Sequence, residues 1–279
     1  MTPENSTARN TLLGEYIRTV HQQFSLPEEI ARKFMLACAL EPLADKPGCT
    51  TRFVDLKDSK RLEYFIAAAI NSGFVIAKLV EKLQANKSIA GAYKILPSLV
   101  IASKFNRHGG KINQGILEPI LPIIAAQVLH FEEIRLDPLK VLPLATSLLQ
   151  QTTPDDVASL IWSKIIGNKI SGVEDKYPVI ERTCDNIGNY YAQELSDEMA
   201  AKHLTGILHN RQFLTGFEDI RDMILWMKKA EGGLLEKSVY AYNRLRERYE
   251  DKIGVGLAAD HCAVALYVYI ALIDHREVI

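Results

Sequence analysis

Apolar residues recur at three- and four-residue spacing along nearly the whole chain, and no apolar-polar alternation lasts more than a few positions. Leu12, Leu13, Tyr16, Ile17 and Val20 set the pattern at the start. A chain patterned this way buries its apolar stripes by packing helix on helix, so the expected fold class is all-α. Helix starts carry the same message. Ser25-Leu26-Pro27-Glu28-Glu29 combines a capping hydroxyl, a proline suited to the first turn and two carboxylates at the positive end of the helix dipole. Thr152-Thr153-Pro154-Asp155-Asp156 repeats that combination.

The helix after Ser25 is expected to reach about Leu40 and to be stopped by Pro42 and Pro47. Further helices are expected from Asp58 or Ser59 towards Leu83, over 92–105 with a bend at Pro97, and over 179–210, 217–230, 233–250 and 255–275, with 168–178 as a loop. The 279 residues sit at the upper end for one hydrophobic core. No linker or repeat divides them, so residues 1–279 are expected to form a single large helical domain with a polar cleft, residues 1–10 being a flexible N-terminus.

Charge and cysteine usage exclude several functions. Thirty-three lysines and arginines nearly cancel 34 aspartates and glutamates, so no global field draws nucleic acid or a membrane surface and any anion site is local. Cys38, Cys49, Cys184 and Cys262 form no CxxC pair, which points to a reduced, cytoplasmic chain. The opening residues do not read as a signal peptide, and the apolar run 262–273 is too short to cross a bilayer. The seven histidines form neither HxxxH nor HExxH, so zinc ligation is not expected.

Three polar segments remain as candidates. In Lys46-Pro47-Gly48-Cys49-Thr50-Thr51-Arg52, Gly48 permits close backbone approach, Thr50 and Thr51 offer hydroxyls, and Lys46 and Arg52 offer positive charge suited to phosphate. The same composition also serves an ordinary connection between helices. Asp55 and Asp58, three apart, suit Mg²⁺ beside phosphates, although Asp58 equally suits the cap of the next helix. Gly109-Gly110-Lys111-Ile112-Asn113-Gln114-Gly115 is either an anion-binding helix entry or a tight turn with a capping asparagine. On the helix around Asp197, Glu198 and Lys202 are placed to pair at the surface, while Asp197 faces either solvent or a cleft.

In order and separation, these segments resemble the triphosphoribosyl-dephospho-CoA synthase family. Lys46-Pro47-Gly48 with Arg52, Asp58 and Phe65 is similar to that family's Lys-Pro-Gly-Asn-Val…Arg…Asp…Phe block. Residues 109–115 resemble its Gly-x-Asn-Thr-Asn-x-Gly block, keeping Asn113 and Gly115. Thr152 to Asp156 is similar to its Thr-Thr-x-x-Asp-Ala segment, and Asp197 to Ala200 to its Asp-x-Ile-Ala helix. Cys49, Lys111 and Ile112 depart from the pattern.

The resemblance implies an all-helical enzyme that uses ATP as a ribosyl donor, with dephospho-CoA attacking the ribose and adenine leaving. It implies that Lys46, Gly48, Thr51, Arg52, Gly110, Asn113 and Gly115 bind substrate, and that Asp58 and Asp197 act on the ribose or as acid and base. It further implies Mg²⁺ with the ATP, held by Asp55 and Asp58. The Asn-x-Gly reading of the second block is nearer the archaeal and methylotroph branch, which implies a phosphorylated precursor of a tetrahydromethanopterin-type one-carbon coenzyme as acceptor. The departures keep open a non-catalytic helical scaffold that retains the fold. The apolar helices also permit a homodimer.

Overall fold

Ser25 opens the first helix, α1 (Leu26–Leu43), with a reciprocal cap: its hydroxyl and its backbone N–H donate to the Glu28 carboxylate at 2.7 and 2.8 Å. The computed structural model describes residues 24–56, 60–105, 108, 112–172 and 182–273. Over the described residues the chain forms twelve α-helices and no strand, so it is all-α. After α1 come α2 (Leu62–Asn86), a 3₁₀ turn (Ala92–Ile95), α3 (Leu96–Ala102), α4 (Gln114–Leu129), α5 (Phe131–Leu136) and α6 (Val141–Leu148). The order continues with α7 (Pro154–Ser171), α8 (Ile187–Ala200), α9 (Leu204–Gln212), α10 (Glu218–Lys229), α11 (Leu234–Arg248) and α12 (Val255–Val268), the last extended by a π turn (Tyr269–Ile273).

Helices α4 and α12 are the inner ones. From Ile116 to Gln127 every residue of α4 is buried, and from His261 so is every residue of α12. α1 packs on α2 and α12; α4 packs on α6, α12 and α2; α7 closes over α3. One continuous cluster of buried apolar side chains runs through these helices from Ile30 to Ala271. Thr153 caps α7 together with Asp156, whose buried carboxylate also accepts the N–H groups of Gly91 and Tyr93 at 2.8 and 3.0 Å. A cap read from local sequence thus also pins a distant turn.

Boundaries differ from expectation where local signals compete. α1 runs past Pro42 to Leu43, because a proline in the last turn withdraws a single amide donor and the Ala44 N–H still reaches the Leu40 carbonyl. Pro97 lies in the first turn of α3, where a missing N–H costs nothing, and not at a bend. α7 continues through Asn168 to Ser171 and closes at left-handed Gly172. The span 179–210 divides into α8 and α9, with Lys202 in the left-handed region (φ 54°). That break takes Lys202 off the helix face, so Glu198 pairs with His203 at 2.7 Å and not with Lys202. The N-terminal stripe from Leu12 to Val20, the segment 1–10 and the expected start at Asp58 or Ser59 lie outside the described residues.

Among the described residues, two helical spans are long and apolar enough to cross a membrane, Leu62–Asn86 and Val255–Ile273. The second is longer than the apolar run 262–273 because the helix begins at Val255; 78% of its span is buried within the fold. The first is 44% buried and leaves one face outward.

Candidate functional site

The site forms where α4 starts against α12. Asn113 turns the chain into α4 at φ 65°, a left-handed geometry that asparagine tolerates better than most residues. Two residues on, Gly115 faces α12 so closely that a Cβ there would overlap the Asp260 carboxylate. Across from them, Gly48 (φ 79°) lets the loop after α1 double back, and the Tyr242 hydroxyl pins that loop by donating to the Pro47 carbonyl at 2.9 Å. Glu41, Gly48, Thr50, Asn113, Gly115 and Asp260 wall a pocket of ≈ 230 Å³, with Phe65 and Ile112 as its apolar surface.

This inner pocket adjoins a larger cleft of ≈ 820 Å³ between α4, α7, α8, α9 and α12; Gln114, Gly115, Gly256 and Asp260 line both. Pro119 and Pro122 withdraw the helical donors from the carbonyls of Gly115 and Glu118, two of the α4 residues on the cleft wall.

The cleft is acidic. Glu118, Glu194, Asp197, Glu198 and Asp260 line it, against the permanent cations Lys164 and Arg182. Glu118 is buried and heavily used. It accepts from the Tyr191 hydroxyl at 3.2 Å and from Gln114 Nε2 at 3.4 Å, and its carboxylate lies 3.4 Å from His209 Nε2 and 3.8 Å from Lys164 Nζ. Burial by itself would lower the Lys164 ammonium, but Glu118, helped by Tyr190 and Glu194, holds it well above the ordinary lysine range. Arg182 bridges Glu194, at 2.9 Å, and Asp197.

Of the residues singled out in the sequence, Gly48, Asn113 and Gly115 meet in the inner pocket. Asp197 lies on the outer cleft, paired with Arg182. Lys46 points the other way: its side chain is fully enclosed, its Nζ lies 2.9 Å from Glu41 Oε1, and it also donates to the Glu41 carbonyl. Burial is the strongest single influence and would lower that ammonium too, but the Glu41 carboxylate, helped by Cys262 and Cys49, leaves it raised. Lys46 therefore presents no charge to a ligand directly and neutralises Glu41 from behind. Thr51 is buried with its hydroxyl accepting from Phe53 N–H at 3.2 Å; its neighbour Thr50 lines the pocket instead. Arg52 is exposed, 4.7 Å over the Phe53 ring, and lines neither space. Asp55 accepts the Leu62 N–H at 2.8 Å, which ties it to the start of α2, and it lines neither space. Asp58 and Gly110 lie outside the described residues.

Glu41, Glu118, Lys164, His209 and Asp260 were not anticipated. The signal that finds Glu118 and Asp260 is a lone carboxylate inside an otherwise apolar helix, since buried charges are retained only when paired or used. Gly115→Ala is expected to cost about 1–3 kcal/mol, because the added methyl must displace the Asp260 carboxylate and also meets the Asp260 Cβ at 3.3 Å. Thermal melts check this; an unchanged melting temperature would show that the Asp260 side chain turns aside freely.

Comparison with family models, with curated proteins and with solved structures returns no match for this chain.

Proposed function

We propose that the pocket and cleft together bind a nucleotide and a phosphorylated small-molecule acceptor, and that the chain is a nucleotide-dependent transferase. The observation behind this reading is that Gly48, distant in sequence from Asn113 and Gly115, walls the same pocket as they do, beside an acidic cleft. The inner pocket suits the uncharged nucleoside end. Lys46 offsets Glu41, and the other charged residues lining the pocket, Asp260 and Lys60, are opposite in sign. Carboxylates accept from ribose hydroxyls, and Asn113 Nδ2, buried with no hydrogen-bond partner among the described residues, is a donor for the same group.

The outer cleft suits the phosphates, with Lys164 and Arg182 as counter-charges. Five carboxylates against two cations would repel a bare triphosphate. A divalent ion travelling with it, taking one or two cleft carboxylates and phosphate oxygens, fits that donor set; Mg²⁺ binds in this manner. No group of three metal-ligating side chains is preassembled among the described residues, and Mg²⁺ carried by phosphate needs none. His209, held against Glu118, is the group placed to pass a proton within the cleft. A non-catalytic scaffold is the second reading, favoured by the pairing of Lys46, Lys164 and Arg182 with internal carboxylates.

Calorimetry separates the two readings. Mg-ATP is expected to bind, adenosine to bind more weakly at the same site, and ATP with chelator at least tenfold more weakly than Mg-ATP, about 1.4 kcal/mol. Asp260→Asn should weaken all three. Absence of binding by Mg-ATP and adenosine would leave the scaffold. Release of adenine from Mg-ATP in the presence of dephospho-CoA or another phosphorylated acceptor then tests the transfer.

A further inference from the structure

The face of α2 turned away from the core is apolar. Leu62, Ile66, Ile70 and Phe74 repeat every fourth residue along it, and Ile70 and Phe74 are 59% and 54% exposed. Phe105 sits beside this row, because Asn71 Nδ2 donates to its carbonyl at 2.5 Å, and Phe105 is itself half exposed. Scattered apolar residues on a surface need no explanation, but a contiguous row of large ones marks an interaction surface. Charges of opposite sign bracket the row. Glu63 stands at its start and Lys78 at its end, both exposed. Among the described residues Glu63 makes a long contact of 3.7 Å to the exposed Arg61, a pairing worth little in water.

We propose that this face binds a second copy of the chain, α2 against α2, antiparallel about a twofold axis near Ile70. A twofold interface sets each patch against itself. With Ile70 on the axis, Ile66 lies opposite the partner's Phe74, and Glu63 lies beside the partner's Lys78. The row is thus complementary to its own reverse in both shape and charge. A parallel arrangement would instead set Glu63 against the partner's Glu63 and Lys78 against the partner's Lys78. α2 packs along α1 on its inner side, so a bilayer is the poorer occupant even though the helix is long and apolar enough to span one.

Sedimentation equilibrium on the purified full chain tests the proposal. The wild type is expected at twice the chain mass, and Phe74→Glu at one chain mass with an unchanged circular dichroism spectrum. Glu63→Lys and Lys78→Glu should each weaken the dimer by roughly two- to fivefold, and the double variant should recover it. Ile70→Cys should form a disulfide-linked dimer on mild oxidation. A wild type of single-chain mass throughout, a dimer indifferent to Phe74→Glu, or a double variant that recovers nothing would overturn the proposal. So would a single-chain mass in solution together with flotation on phosphatidylcholine vesicles, which would assign the face to lipid.

Discussion

Glu41→Ala is expected to lower the unfolding free energy by about 3–5 kcal/mol, the usual cost of stranding one member of a buried ion pair. The Lys46 side chain has no exposure and that of Glu41 only 6%, so neither charge is hydrated and each depends on the other. In a domain stable by about 5–15 kcal/mol the loss is a large fraction of the total. Lys46→Met should cost a similar amount by leaving the Glu41 carboxylate alone. Combining Lys46→Met with Glu41→Gln removes both charges and should regain most of the loss, because desolvation no longer has to be offset. Urea unfolding of the wild type, Lys46→Met, Glu41→Gln and the double variant gives the coupling directly. If the two single losses simply add in the double variant, the pair is not the desolvated unit described.

Acid is expected to destabilise the protein through His261. This residue is 1% exposed in α12, and its Nδ1 has no hydrogen-bond partner among the described residues. Burial, and secondarily the neighbouring His209, push its imidazole down to about 3. The ordinary value in an unfolded chain is about 6.5, so between these values the unfolded state binds the proton and the folded state does not. Stability is therefore intact above about pH 6.5 and falls by about 1.4 kcal/mol per pH unit below it, reaching a loss of about 3 kcal/mol near pH 4.5. Other carboxylates titrate in the same range, so the measurement is the difference between wild type and His261→Leu. The variant should be flatter by that slope between pH 6.5 and 4.5. Parallel curves would show that His261 is reached by water or protonated in the fold.

How much was legible follows from the range of each interaction. Ser25 with Glu28 and Thr153 with Asp156 make their caps within one turn, so three neighbours suffice to predict them. The left-handed turns at Gly48 and Asn113 suit their residue types; Gly48 was singled out for close backbone approach and Asn113 through the resemblance of its segment. Lys202 shows the limit. Spacing on an ideal helix pairs it with Glu198, but the helix ends at Ala200 and His203 takes the carboxylate. Arg52 and Asp55 were picked for charge in a loop, and charge in a loop does not reveal which way a side chain points. One meets a phenyl ring and the other a backbone N–H.

The sequence by itself determined an all-helical chain and marked the special backbone at Gly48 and Asn113, because periodicity, caps and backbone preference act over a few residues. Only the tertiary structure decided which charges face a ligand. It enclosed Lys46 with Glu41 and brought Asp260 of α12 onto the start of α4. It also set Glu118 among Tyr191, His209 and Lys164, all of which stand on other helices. Those choices rest on desolvation, and a charge is desolvated by elements that the sequence places a hundred residues away.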